Sequence, residues 1–201
     1  MSTAILQQAP GATRSERWQS LARVALSGLE ATYGSDACPL PHTCRWDGRN
    51  ARLEGHNPRY ALIALLGLAK AEAVVGRQNA LTDRLWQRVV HSVADWRPTS
   101  GDLGLGLWSV GLRGGDAGPF TCERALNALK RSSQRMDSVD FAWLLLGAEH
   151  LLASGSCDRS LQSLIEISKA ALLRLYSGRA HLFFRHGGRA LGGAFTRRVP
   201  C

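Results

Sequence analysis

The sequence predicts an all-α protein assembled from stacked helical hairpins, and three observations predict it. Apolar residues recur at helical spacing in one segment after another. Two of those segments are apolar on nearly every side, so neighbouring helices must wrap them. No segment shows the apolar–polar alternation of a half-buried strand.

The elements follow in order. Residues 1–14 read as a disordered tail. From Ser15 to Tyr33, Trp18, Leu21, Ala22, Ala25 and Leu29 form a helical stripe, with Ser15 as a cap and Gly34 as a stop. Residues 35–57 carry two prolines among mixed polar groups and read as loop. Asn57-Pro58 then opens a helix in the favoured order, cap residue before proline. That helix, RYALIALLGLAKAEAVV, is one of the two enclosed ones. Asn79–Trp96 is amphipathic through Leu81, Leu85, Val89, Val93 and Trp96, and Pro98 ends it. Thr121 to about Ser132 is a short basic helix, DSVDFAWLLLGAEHLLAS is the second enclosed helix, and DRSLQSLIEISKAALLRLY is amphipathic with Asp158 as cap.

The two halves resemble each other. YALIALLG at 60–67 is echoed by FAWLLLG at 141–147, and Leu81–Trp96 by Leu161–Tyr176. Ser-Gly follows each amphipathic helix, at 100–101 and at 177–178. A recurring pair of enclosed and amphipathic helices is the signature of stacked hairpins.

The glycine-rich stretch SGDLGLGLWSVGLRGGD at 100–116 reads as a loop. It lacks Gly-Lys-Ser/Thr and a preceding strand, so a phosphate cradle is not expected, and no nucleotide or other cofactor is predicted. In a loop at the mouth of a helical array, Asp102 would offer a carboxylate and Trp108 an aromatic plate, with glycines admitting close backbone approach. The competing account has Leu103, Leu105 and Trp108 plugging the end of the core and Asp102 as a turn or cap residue.

Composition narrows the classes. The chain has 201 residues, 45% hydrophobic and 20% charged, which fits a globular domain. The N-terminus lacks a signal-peptide pattern and the longest apolar run is too short to span a membrane, so a cytoplasmic location without membrane attachment is expected. The net charge is +9, and the basic groups are nearly all arginine. After Glu166 there is no acidic residue while seven Lys and Arg follow, so 191–201 reads as a basic tail. No nucleic-acid motif accompanies it, so nucleic acid is not the expected partner. Five cysteines are scattered, with Cys38 and Cys44 the one close pair, so no metal site is predicted and reduced structural thiols are expected. Gly-x-Ser-x-Gly is missing, which removes a serine-hydrolase reading.

The order apolar helix, amphipathic helix, then DLGLGLW, with HLFFRH after a later amphipathic helix, resembles the (α/α)6 toroids of the six-hairpin glycosidase type. The resemblance covers roughly residues 55–190. It implies a central funnel, a carbohydrate-like ligand and acidic catalysts, although no residue matches a diagnostic catalytic motif of one such family. The helices suffice for about half a ring. A shortened relative is therefore expected, or a homo-oligomer or partner chain completing the ring, because half a ring exposes apolar faces.

Glycoside cleavage requires two carboxyl groups roughly 5–10 Å apart. Asp102 is the first candidate, and Asp140 the second, although Asp137 and Asp140 also suit helix capping. Trp46, Tyr60 and Trp108 are the candidate sugar platform, with Arg59, Arg185 and His186 at its rim. His150, inside an enclosed helix, reads as a core histidine. The alternative function is a non-catalytic helical scaffold that binds another protein.

Overall fold

Each long helix begins where a side-chain oxygen stands ready for the backbone N–H groups that lack an intrahelical partner. The computed structural model describes residues 13–34, 40–76, 79–114, 117–132, 136–156, 158–179 and 182–183. Helix α1 (Arg14–Tyr33) is capped by Thr13 in a reciprocal box with Glu16, two residues earlier in the chain than the Ser15 cap expected from sequence. The backbone then forms a hairpin of β1 (Thr43–Trp46) and β2 (Ala51–Glu54), paired antiparallel with Thr43 opposite Glu54 and Trp46 opposite Ala51. Asn57 caps α2 (Pro58–Val75), Asn79 caps α3 (Ala80–Ser92) and Thr99 caps α4 (Ser100–Arg113). Next come α5 (Cys122–Ser132), then α6 (Ser138–Ala153) capped by Asp137, and α7 (Arg159–Leu175) capped by Asp158. A short pairing of β3 (Tyr176–Ser177) with β4 (Leu182–Phe183) follows. The fold is all-α.

Two expectations are corrected. Residues 43–54, read as loop, form the β1–β2 hairpin, whose strands are too short and too exposed to show alternation. The glycine-rich stretch is no loop either: it is helix α4, buried along most of its length. Glycine is a poor helix former. Here, however, the missing side chains let α4 sit directly against its neighbours. A β-carbon on Gly104 would lie 2.5 Å from the Leu144 amide nitrogen, and one on Gly111 would lie 2.8 Å from the His150 carbonyl carbon. One on Gly106 would run into the Phe120 ring, and one on Gly147 into the Gly104 carbonyl oxygen. Tertiary packing overrides propensity.

The contacts fix the direction of the helices. Gly101 meets Asp140 and Trp143, Gly104 meets Leu144, and Gly111 meets His150 and Leu151, so α4 and α6 run in the same direction. Arg59 near the start of α2 reaches Asp102 near the start of α4, while Lys70 further along reaches Trp108, so α2 shares that direction. Helix α3 runs the opposite way, since Asp83 at its start pairs with Arg113 at the end of α4. Helices α2, α4 and α6 thus form one layer, and α3, α5 and α7 pack behind it. Leu62, Leu65 and Leu68 of α2, Leu81 and Leu85 of α3, Leu103, Leu105 and Leu107 of α4, Phe120, and Leu144 and Leu164 fill the space between.

The two helices predicted to be enclosed are enclosed on most sides. Leu65 and Leu144 are buried and Leu145 packs against the core, but α2 leaves Tyr60, Ile63, Gly67, Lys70 and Val74 open along one stripe. Trp18, Leu21 and Val24 of α1 face outward, whereas Leu26 and Leu29 pack against the core. Among the described residues, no helix is long and apolar enough to cross a membrane.

Candidate functional site

The shared direction of α2, α4 and α6 brings three helix starts to one end of the layer, and their caps hold an acidic cluster there. Thr99 and Asp102 form a reciprocal cap on α4; Asp137 and Asp140 form another on α6. Asp102 is buried, and both of its oxygens are occupied. Oδ1 accepts from Arg59 Nε at 2.5 Å, and Oδ2 accepts from the Thr99 amide at 2.8 Å and the Thr99 hydroxyl at 2.9 Å. Arg59 also donates from Nη2 to Thr99 Oγ1 at 2.9 Å, and its guanidinium lies 5.5 Å from the centroid of the Trp143 ring. The bond to Asp102 holds Arg59 more firmly in its charged form. Asp102 is therefore an ion-paired anchor inside a helix, not a carboxylate exposed on a loop.

Asp140 has the opposite electrostatics. Burial disfavours its charge and the neighbouring Asp137 adds repulsion, so its carboxyl holds its proton above the usual carboxylate range, despite a bond from its own cap and the attraction of Arg59. It borders a cavity of about 330 Å³ that Thr99, Ser100, Arg131 and Met136 also line. A carboxyl of this kind is suited to donating a proton.

The predicted aromatic platform is not one surface. Trp108 sits about 9 Å along α4 from Asp102, given the rise of an α-helix. There it stacks on His150 with centroids 5.3 Å apart and lies 5.5 Å below the Lys70 ammonium. Tyr60 stacks on His42 at 5.9 Å beside an apolar cleft of about 380 Å³ between α1, the hairpin and α2, lined by Tyr33, Leu53 and Ile63 among others. Trp46 is exposed at the turn end of the hairpin, about 13 Å along the strand from His42. Arg185 and His186, together with the expected tail at 191–201, lie outside the described residues.

The structure therefore joins Arg59, Asp102 and Asp140, leaves Trp108 one step further along the same layer, and keeps Trp46 and Tyr60 apart. It also adds Trp143, Lys70 and His150, none of which the sequence marked as functional. His150 is half-buried and stacked rather than sunk in the core. The repeated spacing Thr99-x-x-Asp102 and Asp137-x-x-Asp140 is the readable signal that the two helix starts match. Among the described residues, no three His, Cys, Asp or Glu side chains form a set able to hold a metal ion. Comparison with family models, with curated proteins and with solved structures gives no match for this chain.

Proposed function

We propose that the side of the layer formed by α2 and α6 around the half-buried Trp108 of α4 binds a carbohydrate-type ligand, and that the hairpins form part of an α/α toroid. The observation that carries this reading is the pairing of two tryptophans with two cations on one layer, Trp143 under Arg59 and Trp108 under Lys70, with Asp140, whose proton affinity burial raises, at the Trp143 end. A sugar ring offers apolar faces to an indole and a polar rim to charged groups, so both halves of its surface find partners here. A co-directional layer of α2, α4 and α6 with α3, α5 and α7 packed behind it, α3 running the opposite way, supports the toroid. In a glycoside-cleaving version, Asp140 is the proton donor, Asp102 holds Arg59 in place, and Asp137 is the nearby second carboxylate.

The test is intrinsic tryptophan fluorescence and thermal shift against a panel of neutral and acidic oligosaccharides. At least one ligand is expected to quench emission and raise the melting temperature, and Trp143→Ala and Trp108→Ala should each weaken that response. A flat response across the panel overturns the reading.

A scaffold reading draws on a separate observation. Val139, Leu146 and Leu152 are exposed on α6, and Trp18, Leu21 and Val24 on α1, so apolar side chains lie open on two helices. A second copy or a partner chain seated there would cover them. Light scattering that finds a monomer at every concentration argues against a second copy.

A further inference from the structure

Three side chains with hydrogen-bond donors gather around the Trp108 ring, from α2, α4 and α6. Trp108 Nε1 is buried and has no partner among the described residues. The Lys70 ammonium, 5.5 Å from the centroid of the Trp108 ring, makes no ion pair or hydrogen bond among the described residues. His150 lies against the same ring at an interplanar angle of 17°, and neither of its ring nitrogens is bonded among the described residues. A buried N–H without an acceptor is costly, and native structures seldom leave one so. Here it is flanked by a cation and an imidazole.

The nearby carboxylates do not satisfy this cluster. Glu72, two residues beyond Lys70, accepts from the Asn79 amide at 2.8 Å and from the Thr82 hydroxyl at 2.5 Å. Asp102 is taken by Arg59 and Thr99. Asp140 lies about 15 Å from His150 along α6, beyond the reach of effective pairing.

We propose that Lys70, Trp108 and His150 form an oxyanion subsite that takes the acidic group of a sugar ligand, whether carboxylate, sulfate ester or phosphate ester. The proposal rests on the carbohydrate reading above and specifies which sugars the face prefers. Lys70 sits on a flexible four-carbon stem at the surface. For a bound anion at the edge of the Trp108 ring, the indole N–H, the ammonium swung round from the ring face and an imidazole N–H would be the three donors. Donors to a charged acceptor bind about twice as strongly as donors to a neutral one, which separates acidic sugars from neutral sugars of the same ring shape.

Isothermal titration with an oligogalacturonate, the matching neutral galacto-oligosaccharide, and inorganic phosphate alone tests the proposal, with melting curves to confirm folding of each variant. The acidic sugar is expected to bind at least about tenfold more tightly than the neutral one, the effect of one charge-assisted bond. Lys70→Met and Trp108→Phe should each lose about tenfold toward the acidic sugar, a larger loss than either shows toward the neutral one. Trp108→Phe keeps the ring and removes only the N–H, so it reports on the donor rather than on stacking. Equal binding of both sugars, or an unchanged affinity in Lys70→Met, overturns the subsite and leaves the carbohydrate reading standing. Phosphate binding that depends on Lys70, with no response to any sugar, keeps the subsite and overturns the carbohydrate reading. No binding by any probe overturns both.

Discussion

Gly104 and Gly147 face each other across the seam between α4 and α6, and the backbone carbonyl of Gly104 fills the space a side chain on Gly147 would need. With Gly104 set against the Leu144 backbone and Gly111 against the His150 backbone, two helices running in the same direction share a tight boundary.

Gly147→Ala therefore has no room and must push the helices apart. Overpacking of a well-filled seam costs about 1–3 kcal/mol, and contact with backbone rather than a flexible side chain places this variant at the upper end. Urea denaturation should show a lower midpoint with an unchanged slope. Gly67→Ala is the control, because a β-carbon there meets nothing within 4 Å, and it should be neutral or slightly stabilising.

Asp102 is buried with both oxygens bonded, so removing Arg59 leaves an uncompensated charge in the interior. Arg59→Met should destabilise by about 2–4 kcal/mol, discounted from the fully buried case because a third of the Arg59 side chain is exposed. The Arg59→Met/Asp102→Leu double variant should lose less than the two single variants added together, since no charge is then stranded. An additive cycle would show that the pair is uncoupled.

Asp140 predicts a signed pH effect. Its folded-state affinity for a proton exceeds that of the unfolded chain, so its contribution is full below the ordinary carboxylate range and is lost as pH rises through its elevated folded value. Asp140→Asn keeps an oxygen for the cap and removes the titration. The stability of Asp140→Asn relative to the parent should therefore grow with pH from the acid range toward neutrality. Denaturation midpoints measured across that range give the difference, and a constant offset would contradict the burial of this carboxyl.

The two described cysteines should differ in reactivity. Cys44 is exposed on β1, whereas burial, together with the neighbouring Asp158, pushes the Cys122 thiol up to about 11. At pH 8 about one Cys122 in a thousand is thiolate, so it should react slowly with a disulfide reagent in the folded protein. Cys44→Ser should remove a fast phase of the reaction with such a reagent, and Cys122→Ser should leave that phase intact.

The sequence disclosed the helices whose faces are defined by side chains and obscured the one defined by their absence. Asn57-Pro58, Asn79, Asp137 and Asp158 start helices where capping chemistry places them, and the stripes through Leu81, Leu85, Leu161 and Leu164 point inward as their spacing requires. Helix α4 was hidden because its glycines resemble a flexible loop. Their positions at 101, 104 and 111, with Thr99 and Asp102 placed for a cap, do carry a helical period, but the burial that makes those glycines useful depends on Leu144 and His150, some forty residues away. The candidate site failed in the same manner. Arg59 and Asp102 meet because two helices lie side by side, and no local pattern records that contact. His150 looked like a core residue because its helix is apolar, yet it sits beside the partly open Trp108.

The common orientation of α2, α4 and α6 has an electrostatic consequence. Each helix start carries roughly half an elementary positive charge, and three of them reinforce one another at the same rim. Asp102 and Asp137 stand in that field and offset part of it, with Asp102 already paired to Arg59. Lys70, without an ion pair among the described residues, lies midway down the layer, so on the proposed reading an acidic ligand would be held there rather than at the rim.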